Sequence, residues 1–108
     1  MTTMLVEAEI YVEDTGLFKA LTIEGDDVYV TMFLDKTQSY EVADRLEAIA
    51  DGRCHEPFEV ADGLDKLTIE ECEWMKVRIN LNGVRGILGL QDVREIAHDL
   101  RAGWEASE

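Results

Sequence analysis

Proline, cysteine and basic residues are scarce in this sequence of 108 residues, which contains one proline and two cysteines. The cysteines, Cys54 and Cys72, sit in no zinc-binding or redox spacing. Long apolar runs are also missing, since none approaches the roughly 20 residues of a membrane-spanning helix. The first residues lack the basic and apolar stretches of a signal peptide. We therefore expect a cytoplasmic protein of a bacterial or phage-infected cell.

The scarcity of basic residues gives the chain its main character. Only 10 Lys and Arg stand against 24 Asp and Glu, a formal net charge of -14 at pH 7. Such a protein repels nucleic-acid phosphates and anionic membranes, and it attracts basic surfaces with a strength that falls as salt is added. We expect no direct nucleic-acid or membrane binding. The expected partner is a protein with a basic surface.

The apolar residues, 46% of the chain, fall in periodic runs, which argues against disorder. A chain of this length is sufficient for one domain with its own core. The plausible internal boundary is the segment 52–57, which follows a helical pattern and precedes new strand-like sequence. We predict a single domain, 1–108, with halves at approximately 1–52 and 58–104.

The first half has the pattern of a three-stranded meander followed by a helix. Period-two alternation between glycine- and aspartate-containing turns predicts strands at Met4–Val12, Leu17–Glu24 and Val28–Leu34. An apolar stripe then predicts a helix that begins at about Thr37 or Ser39 and ends at Gly52. Either hydroxyl residue can cap the free N–H groups of the first turn.

The second half repeats this order. Strands are predicted near Leu64–Cys72, Trp74–Leu81 and Val84–Leu90, followed by a helix at Asp92–Ala102. The dipeptide Asn82-Gly83 predicts a hairpin with a type I′ turn, because both residues tolerate positive φ. Asp92 with Glu95 resembles a capping box. A short edge strand around Phe58–Val60 can be added to the second meander.

The two halves share enough residues to raise the question of an internal duplication. A shift of 54 positions places Val30 on Val84, Leu34 on Leu88, Glu41 on Glu95, Ala43 on Ala97, Leu46 on Leu100 and Ala48 on Ala102. A rival register places Leu21–Glu24 on Leu67–Glu70. With either register the sequence predicts an α+β fold of antiparallel sheets with two helices, as a βββα-βββα pseudo-duplication.

Acidic and aromatic side chains collect on the outward side of the first meander. The predicted partner-binding residues are Glu7, Glu9, Tyr11, Glu13, Asp14, Glu24, Asp26, Asp27, Tyr29 and Phe33, with Phe18 close to them. The carboxylates would steer a basic partner and the rings would supply buried area. The alternative is an ordinary solvated face, with charges that oppose aggregation and rings that pack across strands.

The second meander carries basic residues at outward positions, namely Lys76, Arg78 and Arg85. This patch could pair with the acidic half of a second copy and produce a homodimer. Scattered surface charge is the simpler interpretation.

Residues with catalytic chemistry are few. Cys54-His55-Glu56 brings a thiol, an imidazole and a carboxylate together in sequence, but adjacent residues do not face one another and no third metal ligand can be named apart from the distant His98. The glycines Gly83, Gly86 and Gly89 are predicted to lie in a hairpin and strand rather than to open a helix in the spacing of a phosphate loop, so we expect them to mark a bulge or bend. We predict no catalytic, cofactor or metal site, and no enzyme.

These features favour a small acidic inhibitor that binds the basic surface of a nucleic-acid-binding protein, with DNA mimicry as one mode. In size and charge, though in no residue motif, the chain resembles the anti-restriction and anti-CRISPR proteins that phages use against host defences. An immunity or antitoxin protein that neutralises a basic toxin has the same surface requirements. A structural or accessory subunit of a larger assembly is the alternative from a different class.

Overall fold

A computed structural model of the protein describes residues 9–25, 27–72 and 76–104. Within these ranges the chain forms an α+β fold, as predicted. Its elements in chain order are β1 (Glu9–Asp14), β2 (Lys19–Glu24), β3 (Tyr29–Leu34), α1 (Lys36–Ala50), β4 (Phe58–Asp62), β5 (Asp65–Glu71), β6 (Lys76–Leu81), β7 (Val84–Gly89) and α2 (Leu90–Arg101). The parts of the predicted strands at positions 4–8 and 74–75 lie outside the described residues.

The strands form two antiparallel sheets, one of β1-β2-β3 and one of β4-β5-β6-β7. The predicted edge strand at Phe58 is present as β4 and pairs with β5. The predicted hairpin at Asn82-Gly83 is also confirmed, since the two residues have φ of 53° and 90° as a type I′ turn requires.

One hydrophobic core connects the two sheets and the two helices. It contains Leu21 and Ile23 of β2, Ile69 of β5, Leu46 of α1 and Leu100 of α2, together with their apolar neighbours. The helices pack against each other, and each also contacts both sheets: α1 lies against β3, β5 and β6, whereas α2 lies against β1, β6 and β7. Because the inward side chains of both sheets enter this core, the opposite face of each sheet is left for other contacts.

The order of elements is roughly consistent with the predicted pseudo-duplication. The 54-position shift superposes the buried positions of the two helices, Val42 on Ile96, Ala43 on Ala97 and Leu46 on Leu100, and the buried strand position Leu34 on Leu88. The rival register places β2, the middle strand of its sheet, on β5, which is followed by two further strands before its helix. The second half differs from the first by the additional strand β4.

The predicted start of α1 was wrong by one to three residues. The helix begins at Lys36 and its N-cap is Asp35, whose carboxylate accepts the Gln38 N–H at 2.8 Å while the Gln38 side-chain oxygen accepts the Asp35 N–H at 3.1 Å. This is a capping box, which satisfies two free donors at once. Thr37 is already helical, and Ser39 is buried inside the first turns, where its hydroxyl donates to the Leu34 carbonyl at 3.5 Å.

The predicted cap of α2 was also wrong. This helix begins at Leu90 directly after β7, and its N-cap Gly89 makes no side-chain hydrogen bond. Asp92 is therefore a first-turn residue, where its carboxylate interacts favourably with the positive end of the helix dipole. The end of α1 agrees with the prediction: Gly52 has φ of 79°, and the N–H groups of Gly52 and Arg53 bond to the carbonyls of Ile49 and Ala48.

A buried lysine connects the first hairpin to the C-terminal end of the described chain. Lys19 is only 4% exposed; its Nζ lies 3.3 Å from the Asp14 carboxylate and 5.4 Å from the centre of the Trp104 ring. The Trp104 indole N–H donates to the Leu100 carbonyl at 2.6 Å. A charge buried this deeply needs such partners to offset the lost hydration.

The capping assignment of α1 can be tested by mutation. We expect Asp35→Ala to lower the free energy of unfolding by about 1 kcal/mol, because the Gln38 N–H loses the carboxylate that accepts its hydrogen bond. Thr37→Ala, at an exposed helical position, should change it by less than about 0.5 kcal/mol. Urea unfolding measures both. Equal effects of the two variants would contradict the assignment.

A second prediction concerns the close packing of β1 over β7. The Ile10 side chain occupies the space where an alanine Cβ at Gly86 would lie. We expect Gly86→Ala to cost about 1 kcal/mol or more through overpacking, and Ile10→Val, which removes the obstructing methyl group, to relieve part of that cost. A double-mutant cycle by urea unfolding should therefore show coupling of about 0.5 kcal/mol or more. Strictly additive effects would show that the two positions do not share this space.

Candidate protein-binding face

The pairing of β1, β2 and β3 decides which side chains share the outward face of the first sheet. Residues directly opposite each other in antiparallel strands point to the same side. The outward side chains form three rows across the sheet, which are Glu9–Glu24–Tyr29, Tyr11–Thr22–Thr31 and Glu13–Ala20–Phe33. We call these nine residues the outer face of the first sheet.

The centre of this face is closed and its periphery is open. Ala20 and Thr22 on the middle strand are buried, and the hydroxyls of Thr22 and Thr31 lie 2.9 Å apart. By contrast, Tyr29 is 61% exposed and Phe33 is 51% exposed. The large side chains available to a partner are therefore on the edge strand β3.

A further pair of apolar side chains extends the face beyond the sheet. Phe18, in the connection between β1 and β2, meets Phe33 edge to face with the ring centres 6.5 Å apart. The preceding Leu17 is 81% exposed. The connection is held by Thr15, whose N–H and hydroxyl both bond to the Phe18 carbonyl, at 3.0 and 2.7 Å. The alternation predicted Leu17 as the first residue of a strand, but β2 begins at Lys19, so Leu17 lies exposed in the connection and was not among the predicted binding residues.

Tyr11 and Glu24 form a hydrogen bond along the face. The Tyr11 hydroxyl donates to Glu24 Oε1 at 2.8 Å. This bond, with some desolvation and the negative charges of Glu24 and Glu13 nearby, raises the pKa of Tyr11 from 10.0 to about 12. The bond holds one oxygen of the Glu24 carboxylate, Oε1, and leaves the second oxygen, Oε2, available to a partner.

The predicted binding residues divide in the structure. The outer face brings together six of them, namely Glu9, Tyr11, Glu13, Glu24, Tyr29 and Phe33. Asp27 is exposed in the turn between β2 and β3, next to the Tyr29 end of the face. Glu7 and Asp26 lie outside the described residues.

Asp14 lies on the opposite side from the other predicted binding residues. It is in register with Lys19, whose side chain is buried, and it accepts the Gly16 N–H at 2.9 Å. These two partners lower the pKa of Asp14, with the Gly16 hydrogen bond contributing most. Its charge is therefore compensated by Lys19 and does not extend the acidic face.

The outward side of the second sheet has a different charge. Lys76, Arg78 and Arg85 lie there as predicted from the alternation, and Arg78 pairs with Glu70 at 3.2 Å. Ile87, directly opposite Arg78, is 53% exposed. The three carboxylates of the first outer face, in contrast, have no basic residue among the nine positions of that face.

The Cys54-His55-Glu56 segment contacts both α1 and the second sheet. His55 Nδ1 lies 3.1 Å from both carboxylate oxygens of Glu71, whereas the Cys54 Sγ lies 3.9 Å from an Arg45 nitrogen. His98 is exposed on α2. Among the described residues, no group of three or more His, Cys, Asp or Glu side chains is placed to hold a metal ion.

We compared the chain with known protein families, curated proteins and solved structures. No protein-family model, no curated protein and no solved structure matches the chain. Of the helices in the described ranges, none has the length and apolarity needed to span a bilayer.

The Tyr11–Glu24 bond predicts an unusual titration. The chain has three tyrosines, and we expect Tyr11 to deprotonate near pH 12 and Glu24→Gln to bring its pKa down toward 10. Since the folded-state pKa exceeds the unfolded value of about 10, the stabilisation from this bond is complete below pH 10 and is lost as the pH rises toward 12. Phenolate absorbance in the two proteins measures the shift. Identical titrations would contradict the hydrogen bond.

Proposed function

We propose that this protein is a non-enzymatic inhibitor that binds the basic surface of a nucleic-acid-binding protein through the outer face of the first sheet. The observation that carries the proposal is the set of exposed rings, Tyr29 and Phe33, beside three carboxylates on a face without basic residues. In a chain of net charge -14, this face combines long-range attraction with apolar contact area.

The two kinds of side chain act at different stages of binding. Carboxylates steer a positively charged partner during diffusional encounter, so they raise the association rate and make it salt-dependent. Aromatic rings contribute after contact, because each ring removes a large apolar area from water without much loss of side-chain freedom. An inhibitor needs both, since it must compete with a nucleic acid for the same surface.

The spacing of the carboxylates favours occlusion over a phosphate-by-phosphate imitation of DNA. Glu9 and Glu13 are four residues apart on β1, about 13 Å by strand geometry, and Tyr11 lies between them. A DNA strand carries one phosphate per roughly 3.4 Å of helix axis. We therefore propose blocking of the basic surface by rings and flanking charges, a mode that suits an anti-restriction or anti-CRISPR role against the defences of a phage-infected host. It suits equally an immunity protein against a basic toxin.

The outward side of the second sheet supports a different role, that of an accessory subunit in a larger assembly. The exposed Ile87 lies opposite Arg78 and two residues from Arg85, so the outward side of the second sheet is partly apolar and basic. An acidic surface, including the outer face of the first sheet in a second copy, has the complementary charge. A homodimer or larger assembly formed this way is our second proposal for the protein's partner.

The main proposal can be tested by affinity capture with charge-matched variants. The triple variant Glu9→Gln, Glu13→Gln, Glu24→Gln removes three charges from the outer face. The control triple variant Glu41→Gln, Glu56→Gln, Glu95→Gln removes three charges from exposed positions elsewhere. We expect the wild type and the control to retain one basic nucleic-acid-binding protein from nuclease-treated host lysate. The outer-face variant should lose at least about nine-tenths of it.

The control separates a specific face from general electrostatics. Equal retention by all three proteins would contradict the proposal, and so would equal loss in both triple variants, which would assign the binding to net charge alone. Circular dichroism of the three proteins verifies that the substitutions leave the fold unchanged.

A further inference from the structure

We infer that the row Glu9–Glu24–Tyr29 on the outer face of the first sheet recognises an arginine side chain of the partner in preference to a lysine. The inference rests on the proposed function and names the chemical group that the face would bind. It follows from the pairing of the three strands, the exposure of the row and the hydrogen bond at Glu24.

The row places two carboxylates and one aromatic ring within reach of a single guanidinium. Glu24 lies directly opposite Glu9 on one side and directly opposite Tyr29 on the other. Neighbouring strands are about 4.8 Å apart, so the three side chains start from Cα atoms that span only about 10 Å. All three are exposed. A partner's side chain can therefore approach the whole row from solvent.

The two carboxylates lack a cation within the part of the chain that the structure describes, where no Lys, Arg or His nitrogen lies within 4.0 Å of Glu9 or Glu24. Like charges directly opposite each other on a sheet repel. A bound cation relieves that repulsion, which makes the free protein complementary in charge to a basic side chain.

Glu24 is also oriented before a partner arrives. The Tyr11 hydroxyl donates to Glu24 Oε1 at 2.8 Å, which restricts the rotation of the carboxylate and leaves Oε2 available. A carboxylate that is already held in place loses less side-chain freedom on binding. The neighbouring tyrosine thus acts as a positioning residue for the acidic group.

Tyr29 decides between arginine and lysine. Its ring is 61% exposed and adjacent to Glu24. A planar guanidinium can lie over this ring while its N–H groups donate to the adjacent carboxylates, whereas a lysine ammonium is a strongly hydrated point charge that lacks the planar stacking surface. The exposed pair Phe18 and Phe33 at the other end of the face offers apolar contact but is separated from this row.

The test uses two capped peptides of equal length and charge. One peptide alternates glycine with arginine, and the other alternates glycine with lysine. Titration calorimetry gives the affinities, and amide chemical shifts locate the contact. We expect the arginine peptide to bind the wild type about two- to fivefold more tightly than the lysine peptide, the range of an exposed cation–π contact. The largest shifts should fall on β2 and β3 near Glu24 and Tyr29.

Matched variants separate the ring from the charges. Tyr29→Phe keeps a ring and should keep the preference, whereas Tyr29→Leu should bring the affinity ratio to about one by weakening the arginine peptide. Glu24→Gln and Glu13→Gln change the net charge equally. The first should reduce both the affinity and the preference, and the second should reduce the affinity alone.

The outcomes distinguish this inference from the function on which it rests. Equal binding of both peptides at this face overturns the arginine preference. A preference that survives in Tyr29→Leu overturns the assignment of that preference to this row. Both results leave the basic-surface proposal standing. Peptide-induced shifts that avoid the first sheet overturn both. Shifts of Tyr29 on dilution of the protein alone would assign the row to a second copy of the chain and also overturn the inference.

Discussion

The shared core is the constraint on which the rest of the structure depends. Each helix contacts both sheets, so the inward side chains of β2 and those of β5 and β6 are parts of one apolar cluster. Since strand side chains alternate strictly, once the inward set is buried the outward set is determined. In β3, the alternate residues Val30, Met32 and Leu34 face the core. The remaining residues of the strand therefore face outward, including the exposed Tyr29 and Phe33. A one-residue slip of β3 would exchange these sets.

The acidic charge is distributed unevenly over this framework. Several carboxylates are offset locally, as Asp14 is by the buried Lys19, and as Asp44 and Glu47 of α1 are by Arg101 of α2 at 2.6 and 2.9 Å. The double contact of Arg101 joins the two helices and raises its pKa, chiefly through the hydrogen bond to Glu47. The outer face of the first sheet keeps its negative charge because none of its nine positions is basic. Repulsion within that face lowers stability, and the proposed binding role would account for its retention.

Much of the fold could be predicted from local patterns. Period-two alternation identified the strands, and Asn82-Gly83 and Gly52 marked turns whose positive φ the structure confirms. Helix starts were less predictable, since aspartate, threonine and serine all occur near the start of α1 and each can cap. At α2 the helix follows β7 without a loop, so Asp92 resembled a cap although the helix had already begun two residues earlier.

In the candidate site, local sequence patterns predicted which side of a strand a residue faces, but not the contacts between residues that are distant in sequence. The positions of Glu9, Tyr11 and Glu13 on one side followed from parity, and parity also places Asp14 on the other side, although its turn composition suggested the acidic face. The Lys19–Trp104 contact joins positions 85 residues apart and has no local signal in the sequence. The hydrogen bond between Tyr11 and Glu24 depends on strand register, which only the pairing of β1 with β2 reveals.

Hydroxyl-radical footprinting of the protein with its captured partner tests the central claim most directly, because it reports the exposure of individual side chains. The account predicts that Tyr29 and Phe33 lose most of their oxidation in the complex, while Ile87 on the second sheet and the fully exposed Leu64 are oxidised as in the free protein. Protection of Ile87 with unchanged oxidation of Tyr29 and Phe33 would contradict the account and assign the partner to the second sheet.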